Sequence, residues 1–128
     1  MMYKESDFLK RLAQQVISER PRVQHLDDPE LRIAYLESDK EKKKAGRPVF
    51  ADCEKVKDKM KAVMPYDFVI TFYTVNCAGM DGEQLETLMY HELLHVGWDG
   101  ESCSIVPHDV QDFREILQDK GIDWSKER

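Results

Sequence analysis

The residues best suited to chemistry are His91, Glu92 and His95, which form the pattern His-Glu-x-x-His. If this segment is helical, residues four apart lie one turn above each other, with Cβ atoms about 5–6 Å apart. Two imidazoles at that separation can reach one zinc ion at bond lengths of about 2.0–2.1 Å. The spacing therefore predicts a metal centre that holds one zinc ion per chain, with His91 and His95 as ligands.

Glu92 is the predicted catalytic base. It lies one step around the helix from His91, so it is placed to contact a water on the metal and not the metal itself. Zinc lowers the pKa of such a water towards about 7, and a nearby carboxylate can take its proton as it attacks a carbonyl. The alternative interpretation is a pair of surface or core histidines beside an incidental glutamate, which would give this segment no chemistry.

A third ligand is needed, because catalytic zinc sites ordinarily take three protein ligands and a water. His108 is the first candidate, and the neighbouring Asp109 could accept a hydrogen bond from a ligand histidine. Glu101 is the main alternative. It stands where the extended motif H-E-x-x-H-x-x-G-x-x-H has its last histidine, but Trp98 replaces the glycine of that motif.

Three helices are expected to position these residues. The first spans about residues 6–20, with Ser6 as its cap, Pro21 after its end and an apolar stripe of Phe8, Leu9, Leu12, Val16 and Ile17. The central helix carries the His-Glu-x-x-His motif, begins with a capping box of Asp81 and Gln84, and can end at Gly97. The last follows Pro107, buries Val110, Phe113, Ile116 and Leu117, and ends at Gly121.

The strand signals are concentrated before the central helix. Residues 68–73 are rich in β-branched and aromatic side chains and form the best candidate. Residues 31–36 are ambiguous between helix and strand, and the strand is favoured, followed by a short strand at 49–51. Helical spacing continues from Val56 to Met64. The predicted fold is α+β, with a small sheet of about three strands packed on helices.

Length and charge restrict the functions that remain. The chain has 128 residues, enough for one domain over 1–128, and a net charge of −6 that argues against a broad nucleic-acid-binding face. One basic run, Lys42 to Lys44 with Arg47, could contact an acidic partner, although a solvated loop explains it as well. Three cysteines without Cys-x-x-Cys spacing, no signal peptide and no transmembrane segment predict a reduced, cytoplasmic protein.

Taken together, these segments resemble the putative phage metallopeptidase family, small zincins of phages and prophages. The resemblance covers roughly Val49 to Gly121, through the strand at 66–70, the segment 88–96 and His108-Asp109-Val110. It implies zinc bound by His91, His95 and His108, with Glu92 as base, in a catalytic core of about residues 31–121. It also favours a strand at 31–36 and leaves the first helix outside the match.

The predicted function is a zinc metallopeptidase of phage or prophage origin that hydrolyses a peptide or protein substrate. The peptide is expected to pair with an exposed edge strand, placed at Phe68 to Phe72. Two alternatives remain open at this point. One is a protease directed at a repressor or at DNA–protein crosslinks, and the other is a non-catalytic zincin fold that keeps the metal and docks a host protein.

Overall fold

The computed structural model describes residues 2–107, and this part of the chain contains two α-helices and eight short strands. In chain order these are β1 (Tyr3–Glu5), α1 (Asp7–Glu19), β2 (Ile33–Ser38), β3 (Lys43–Lys44), β4 (Arg47–Pro48), β5 (Ala51–Lys55), β6 (Phe68–Tyr73), α2 (Gly82–Leu93), β7 (Val96–Trp98) and β8 (Cys103–Ile105). The predicted α+β class is confirmed. No helix within residues 2–107 is long and apolar enough to cross a membrane.

Helix α1 begins where the sequence predicts. The Ser6 hydroxyl accepts a hydrogen bond from the Leu9 amide at 3.2 Å and so satisfies one of the free N–H groups of the first turn. A 3₁₀ turn, Pro21–Leu26, follows the helix. The buried face consists of Leu9, Ala13, Val16 and Ile17. The placement of Phe8 in this face was wrong, because 54% of that residue is exposed.

The main sheet has four strands in the order β1-β2-β6-β5. β2 runs parallel to β6, while β1 pairs antiparallel with β2 and β5 pairs antiparallel with β6. The strand preference for residues 31–36 is confirmed by β2. The sheet has one strand more than expected because β1 reads Tyr-Lys-Glu and is exposed throughout, so it carries no hydrophobic signal.

Strand β6 lies between β2 and β5, so the prediction that Phe68 to Phe72 forms the edge strand is wrong. The edge next to β6 is β5, which begins at Ala51 instead of Val49. Its apolar signal was weak because the strand reads Ala-Asp-Cys-Glu-Lys. The run of β-branched and aromatic residues in β6 is typical of a central strand, and five of its six residues are buried.

One face of the sheet packs against the helices. Phe68, Ile70 and Phe72 of β6 are almost fully buried with Met89 and Leu93 of α2. Direct partners in a sheet share a face, so Ala51, Cys53 and Lys55 of β5 lie on this helix-facing side. Asp52 and Glu54 therefore point to the opposite face.

Helix α2 has the predicted capping box, with the Asp81 carboxylate accepting from Gln84 N at 2.8 Å and Gln84 Oε1 accepting from Asp81 N at 3.0 Å. The helix ends at Leu93, earlier than expected, and Gly97 belongs to β7 and not to a helix terminus. A Cβ on Gly97 would overlap Ser104 of β8. The glycine is therefore explained by the close approach of two strands.

Two further expectations concern other segments. The helix predicted between Val56 and Met64 is wrong, because only a 3₁₀ turn, Met60–Ala62, forms there. Its apolar side chains have little core to cover, and Val63 is 78% exposed. The predicted last helix, from Pro107 to Gly121, lies outside the described residues except for Pro107 itself.

Candidate functional site

The two motif histidines lie close together at the carboxyl end of α2. The ring centroids of His91 and His95 are 5.1 Å apart, and the rings meet edge to face at 89°. His95 lies beyond the last helical residue, but its amide donates to the carbonyl of Glu92 at 3.0 Å and so continues the turn. The chain therefore keeps the one-turn separation of the two imidazoles although the helix has already ended.

The orientation of His95 is set by the strand pair that follows. Its Nδ1 lies 2.6 Å from the carbonyl oxygen of Val106. A carbonyl oxygen only accepts, so Nδ1 carries the proton in this contact, and in the neutral ring Nε2 is the nitrogen that can bind a metal. The Val106 amide donates in turn to the His95 carbonyl at 2.8 Å. A ligand histidine is commonly held by this kind of contact to the nitrogen that does not bind the metal.

This contact exists because β7 and β8 form a tight antiparallel hairpin. Val96 pairs with Ile105, and Trp98 pairs with Cys103. The next pair beyond Val96 and Ile105 is His95 with Val106, so the hairpin returns the chain to the histidine from which it started. Trp98 fixes the outer part by donating from its indole nitrogen to Asp28 at 2.9 Å.

Glu92 is buried, with only 4% of the residue exposed. Loss of hydration, with a smaller contribution from the negative charge of Asp52, raises the pKa of its carboxyl group to about 8. The Glu92 charge also contributes to raising the pKa of the Cys53 thiol, after burial as the main cause. Glu92 therefore lies on the side of α2 that faces the edge strand β5.

Strand β5 has one free edge among the described residues. The carbonyl of Phe50 and the amide of Val56 bond to Tyr73 and Asp67, so even-numbered residues direct their backbone groups towards β6. Because this direction alternates along a strand, Ala51, Cys53 and Lys55 direct theirs outwards. The edge that faces away from β6 is thus a row of backbone donors and acceptors beside α2.

Of the two candidate third ligands, the structure describes only Glu101, and it lies away from the two histidines. Glu101 lies in the exposed loop that joins β7 to β8, where its amide donates to Asp99 at 2.9 Å. That loop is at the far end of the hairpin from His95. Within residues 2–107, no three His, Cys, Asp or Glu side chains form a group that could hold a metal ion. His108 and Asp109 lie outside the described residues.

A polar cluster that the sequence did not indicate lies on the opposite face of β5. Asp52 accepts from Lys42 Nζ at 2.6 Å and from the Tyr73 hydroxyl at 2.7 Å. The second carboxylate oxygen of Asp52 is buried and has no hydrogen-bond partner within residues 2–107. Alternation along β5 could have placed Asp52 away from the core, but the contact with Lys42 depends on a hairpin that no local signal predicts.

Tyr73 and Tyr90, two tyrosines of the strand and helix nearest the motif, are both buried. Tyr73 donates to Asp52, on the sheet face opposite α2. Tyr90 lies beneath the guanidinium of Arg20, whose central carbon is 4.8 Å from the ring centroid. These contacts account for Tyr73 and Tyr90 as structural residues.

A family model described as "Putative phage metallopeptidase" matches residues 1–127. The chain belongs to this family. The match is wider than the segment from Val49 to Gly121 on which the resemblance rested, and it includes the first helix. A peptidase activity that uses a metal and acts on a peptide or protein is therefore the family assignment. Neither a curated protein nor a solved structure matches the chain.

Proposed function

We propose that this phage metallopeptidase is a zinc enzyme in which His91 and His95 bind the metal and Glu92 is the general base. The observation that carries the proposal is the pair of imidazole rings 5.1 Å apart beside a carboxylate that is almost fully buried. The match over residues 1–127 also supports treating the chain as one domain.

The donor set is consistent with zinc. Two imidazole nitrogens suit zinc better than magnesium or calcium, which prefer carboxylate and carbonyl oxygens. The hydrogen bond from His95 Nδ1 to Val106 leaves Nε2 as the metal-binding nitrogen. When bound, the ion would polarise the scissile carbonyl and make the attacking water more acidic.

His108 is the proposed third ligand. The described residues contribute two ligands, so a three-ligand site needs one more from elsewhere in the chain. The Val106 carbonyl lies against the His95 ring, and two further residues extend the chain by at most about 7 Å. This short separation in the chain supports the proposal of His108 as a ligand of the same metal. Asp109, the next residue, is proposed to orient it.

The role proposed for Glu92 follows from its surroundings. Burial in a site with little water disfavours the carboxylate, so the group is a stronger base than an exposed glutamate. In the proposed reaction Glu92 takes a proton from the attacking water as the new C–O bond forms. It then gives that proton to the amine nitrogen as the C–N bond breaks.

The substrate is proposed to pair with β5 in place of the strand first expected. Ala51, Cys53 and Lys55 direct their backbone groups outwards, and a peptide added there would lie beside α2 and Glu92. Backbone pairing holds an extended peptide regardless of its side chains. Strand addition at β5 would therefore provide affinity, and specificity would come from groups that contact alternate side chains of the peptide.

The test is Glu92→Gln, with Glu83→Gln as the matched control on the exposed first turn of the same helix. Glu92→Gln keeps the size of the side chain and removes the base, so we expect one zinc per chain to remain while turnover falls about 10²-fold or more. Glu83→Gln should leave the zinc content and the turnover unchanged. Zinc is measured by elemental analysis, and turnover on a peptide-library substrate with and without chelator.

Each result has a different consequence. Near-normal turnover by Glu92→Gln would disprove its role as base. Loss of zinc together with activity would make Glu92 a ligand. A wild-type protein that binds zinc but cleaves no peptide would instead support a docking function.

A further inference from the structure

The strands β3 and β4 form a small hairpin that concentrates positive charge. Residues 40–47 contain five basic residues and one acidic residue, in a chain whose net charge is −6. Lys43, Lys44 and Arg47 are all exposed. We call residues 42–48 the basic hairpin. Such a concentration of charge on an acidic protein is unusual enough to require a physical explanation.

The pairing within the basic hairpin is electrostatically unfavourable. Lys44 lies directly opposite Arg47, and like charges at opposed positions destabilise a strand pair. Among the described residues, neither side chain makes an ion pair. The unfavourable contact would be relieved by an anion bound between or beside the two side chains.

The base of the basic hairpin is fixed by contacts with Val49, just before β5, and with Asn76. The Val49 amide donates to the Lys42 carbonyl at 2.9 Å, and the Asn76 side chain donates to the carbonyls of both residues. Lys42 is held by Asp52 in the edge strand itself. The base of the basic hairpin therefore occupies a defined place at the beginning of β5.

The contacts of Lys42 also show on which face of the sheet the basic hairpin is attached. Asp52 and Tyr73, which hold Lys42, lie on the face opposite α2. In a peptide paired with β5, successive side chains point to alternate faces. Every second side chain would point to the face on which the basic hairpin is attached, while the others would point towards α2.

We propose that the basic hairpin recognises acidic side chains of the substrate, at alternate positions of a polypeptide paired with β5. This inference rests on the proposed function and names its substrate class. An acidic polypeptide fits better than a nucleic acid, because the rest of this chain is acidic and would repel a continuous phosphate backbone. A few local cations beside a peptide-pairing edge match a short acidic segment.

The experiment uses the zinc-treated full chain carrying Glu92→Gln, so that a bound peptide is not cut. The probes are a fluorescein-labelled peptide in which Glu alternates with Ser, the same peptide with Lys in place of Glu, and a labelled single-stranded oligonucleotide. The test variant adds Lys44→Glu and Arg47→Glu. Two like charges still lie opposite each other in this variant, so the repulsion within the hairpin is similar. The control adds Lys10→Glu and Lys59→Glu, two exposed lysines elsewhere, with the same change in net charge.

We expect the acidic peptide to bind more tightly than the basic one, with an affinity that falls as salt rises. The Lys44→Glu, Arg47→Glu changes should weaken the affinity for the acidic peptide about tenfold, and the control changes should weaken it less than about twofold. Equal losses in both variants, or no preference for the acidic peptide, would overturn the proposal. Tighter binding of the oligonucleotide would assign the basic hairpin to nucleic acid. Cleavage of uncharged peptides by the wild type, measured separately, tests the proposed peptidase activity without involving the hairpin.

Discussion

The two hairpins of this molecule are both short antiparallel pairs near the edge strand β5, and they differ in almost every other respect. The β7–β8 hairpin is closely packed, with Gly97 against Ser104, and returns the chain to His95. The basic hairpin has two residues in each strand and all four are exposed. The first fixes one imidazole in place, whereas the second displays charge. The same architecture therefore orients a histidine in one place and exposes positive charge in another.

The largest predicted effect distinguishes the two candidate third ligands, His108 and Glu101. His108→Ala should weaken zinc affinity by more than about 100-fold, because even residues that only orient a ligand contribute about 10–100-fold. Glu101→Ala, at the exposed loop, should change it less than about threefold. Competition titration with a zinc chelator measures both. The reverse ranking would assign the third ligand to Glu101.

The next effect tests the close packing of the same hairpin. Gly97→Ala places a Cβ against the Ser104 backbone, so we expect a loss of about 2–3 kcal/mol in the free energy of unfolding, as for other overpacked sites. The control is Gly79→Ala, where no heavy atom lies within 4 Å of the new Cβ, and little change is expected there. Urea denaturation of both chelator-treated proteins decides. Equal stability of the two variants would show that the hairpin can open without cost.

A third prediction concerns the buried carboxyl group of Glu92, which differs from the exposed charges of the basic hairpin in its loss of hydration. Because burial raises the pKa of Glu92 from 4.5 to about 8, the folded chain keeps a proton that the unfolded chain has lost. The metal-free protein should therefore lose stability as pH rises from about 4.5 to about 8. The Glu92→Gln substitution removes this pH-dependent loss. The variant should therefore have a free energy of unfolding about 1–4 kcal/mol higher than the wild type at pH about 8. At pH about 4.5 it should have no such advantage.

The measurement is urea unfolding of both proteins with chelator present, at the two pH values. All other titrating groups are shared, so their contributions cancel in the difference. A difference between the two proteins that does not vary with pH would mean that Glu92 is ionised in the metal-free fold.

The smallest effect has a sign that is easily checked. Lys44→Thr removes one of two opposed positive charges and replaces it with a residue that favours strands, so the protein should be unchanged or more stable by up to about 0.5 kcal/mol. Lys43→Thr, opposite Pro48, lacks the charge relief and serves as the control. A loss of stability in Lys44→Thr would indicate that the lysine has a structural partner and would weaken the recognition proposal.

Local sequence was enough to predict the parts of the fold whose signals are contained in a few neighbouring residues. The Ser6 cap, the capping box of Asp81 and Gln84, and strand β6 are all confirmed. Each depends on hydrogen bonds or side-chain preferences within a single element. The segment from Val56 to Met64 had an equally good apolar period but lacks a core to cover, and it does not form the predicted helix.

Positions in the sheet could not be obtained in this way. Whether β5 or β6 is the edge depends on which strands pair, and the parallel pairing of β2 with β6 joins residues 35 positions apart. The weak apolar content of β5 becomes informative only after that order is fixed. Tertiary structure therefore corrected the place where a substrate strand can be added.

For the site, the sequence alone determined the residue types and their one-turn spacing, because both follow from five consecutive positions. Only the tertiary structure decided how His95 is held, because its partner Val106 lies 11 positions later in the chain and is brought back by the β7–β8 hairpin. The same holds for the burial of Glu92, which results from packing α2 against the sheet. Spacing along a helix is a local property, whereas burial and the orientation of an imidazole require contacts between segments that are distant in the chain.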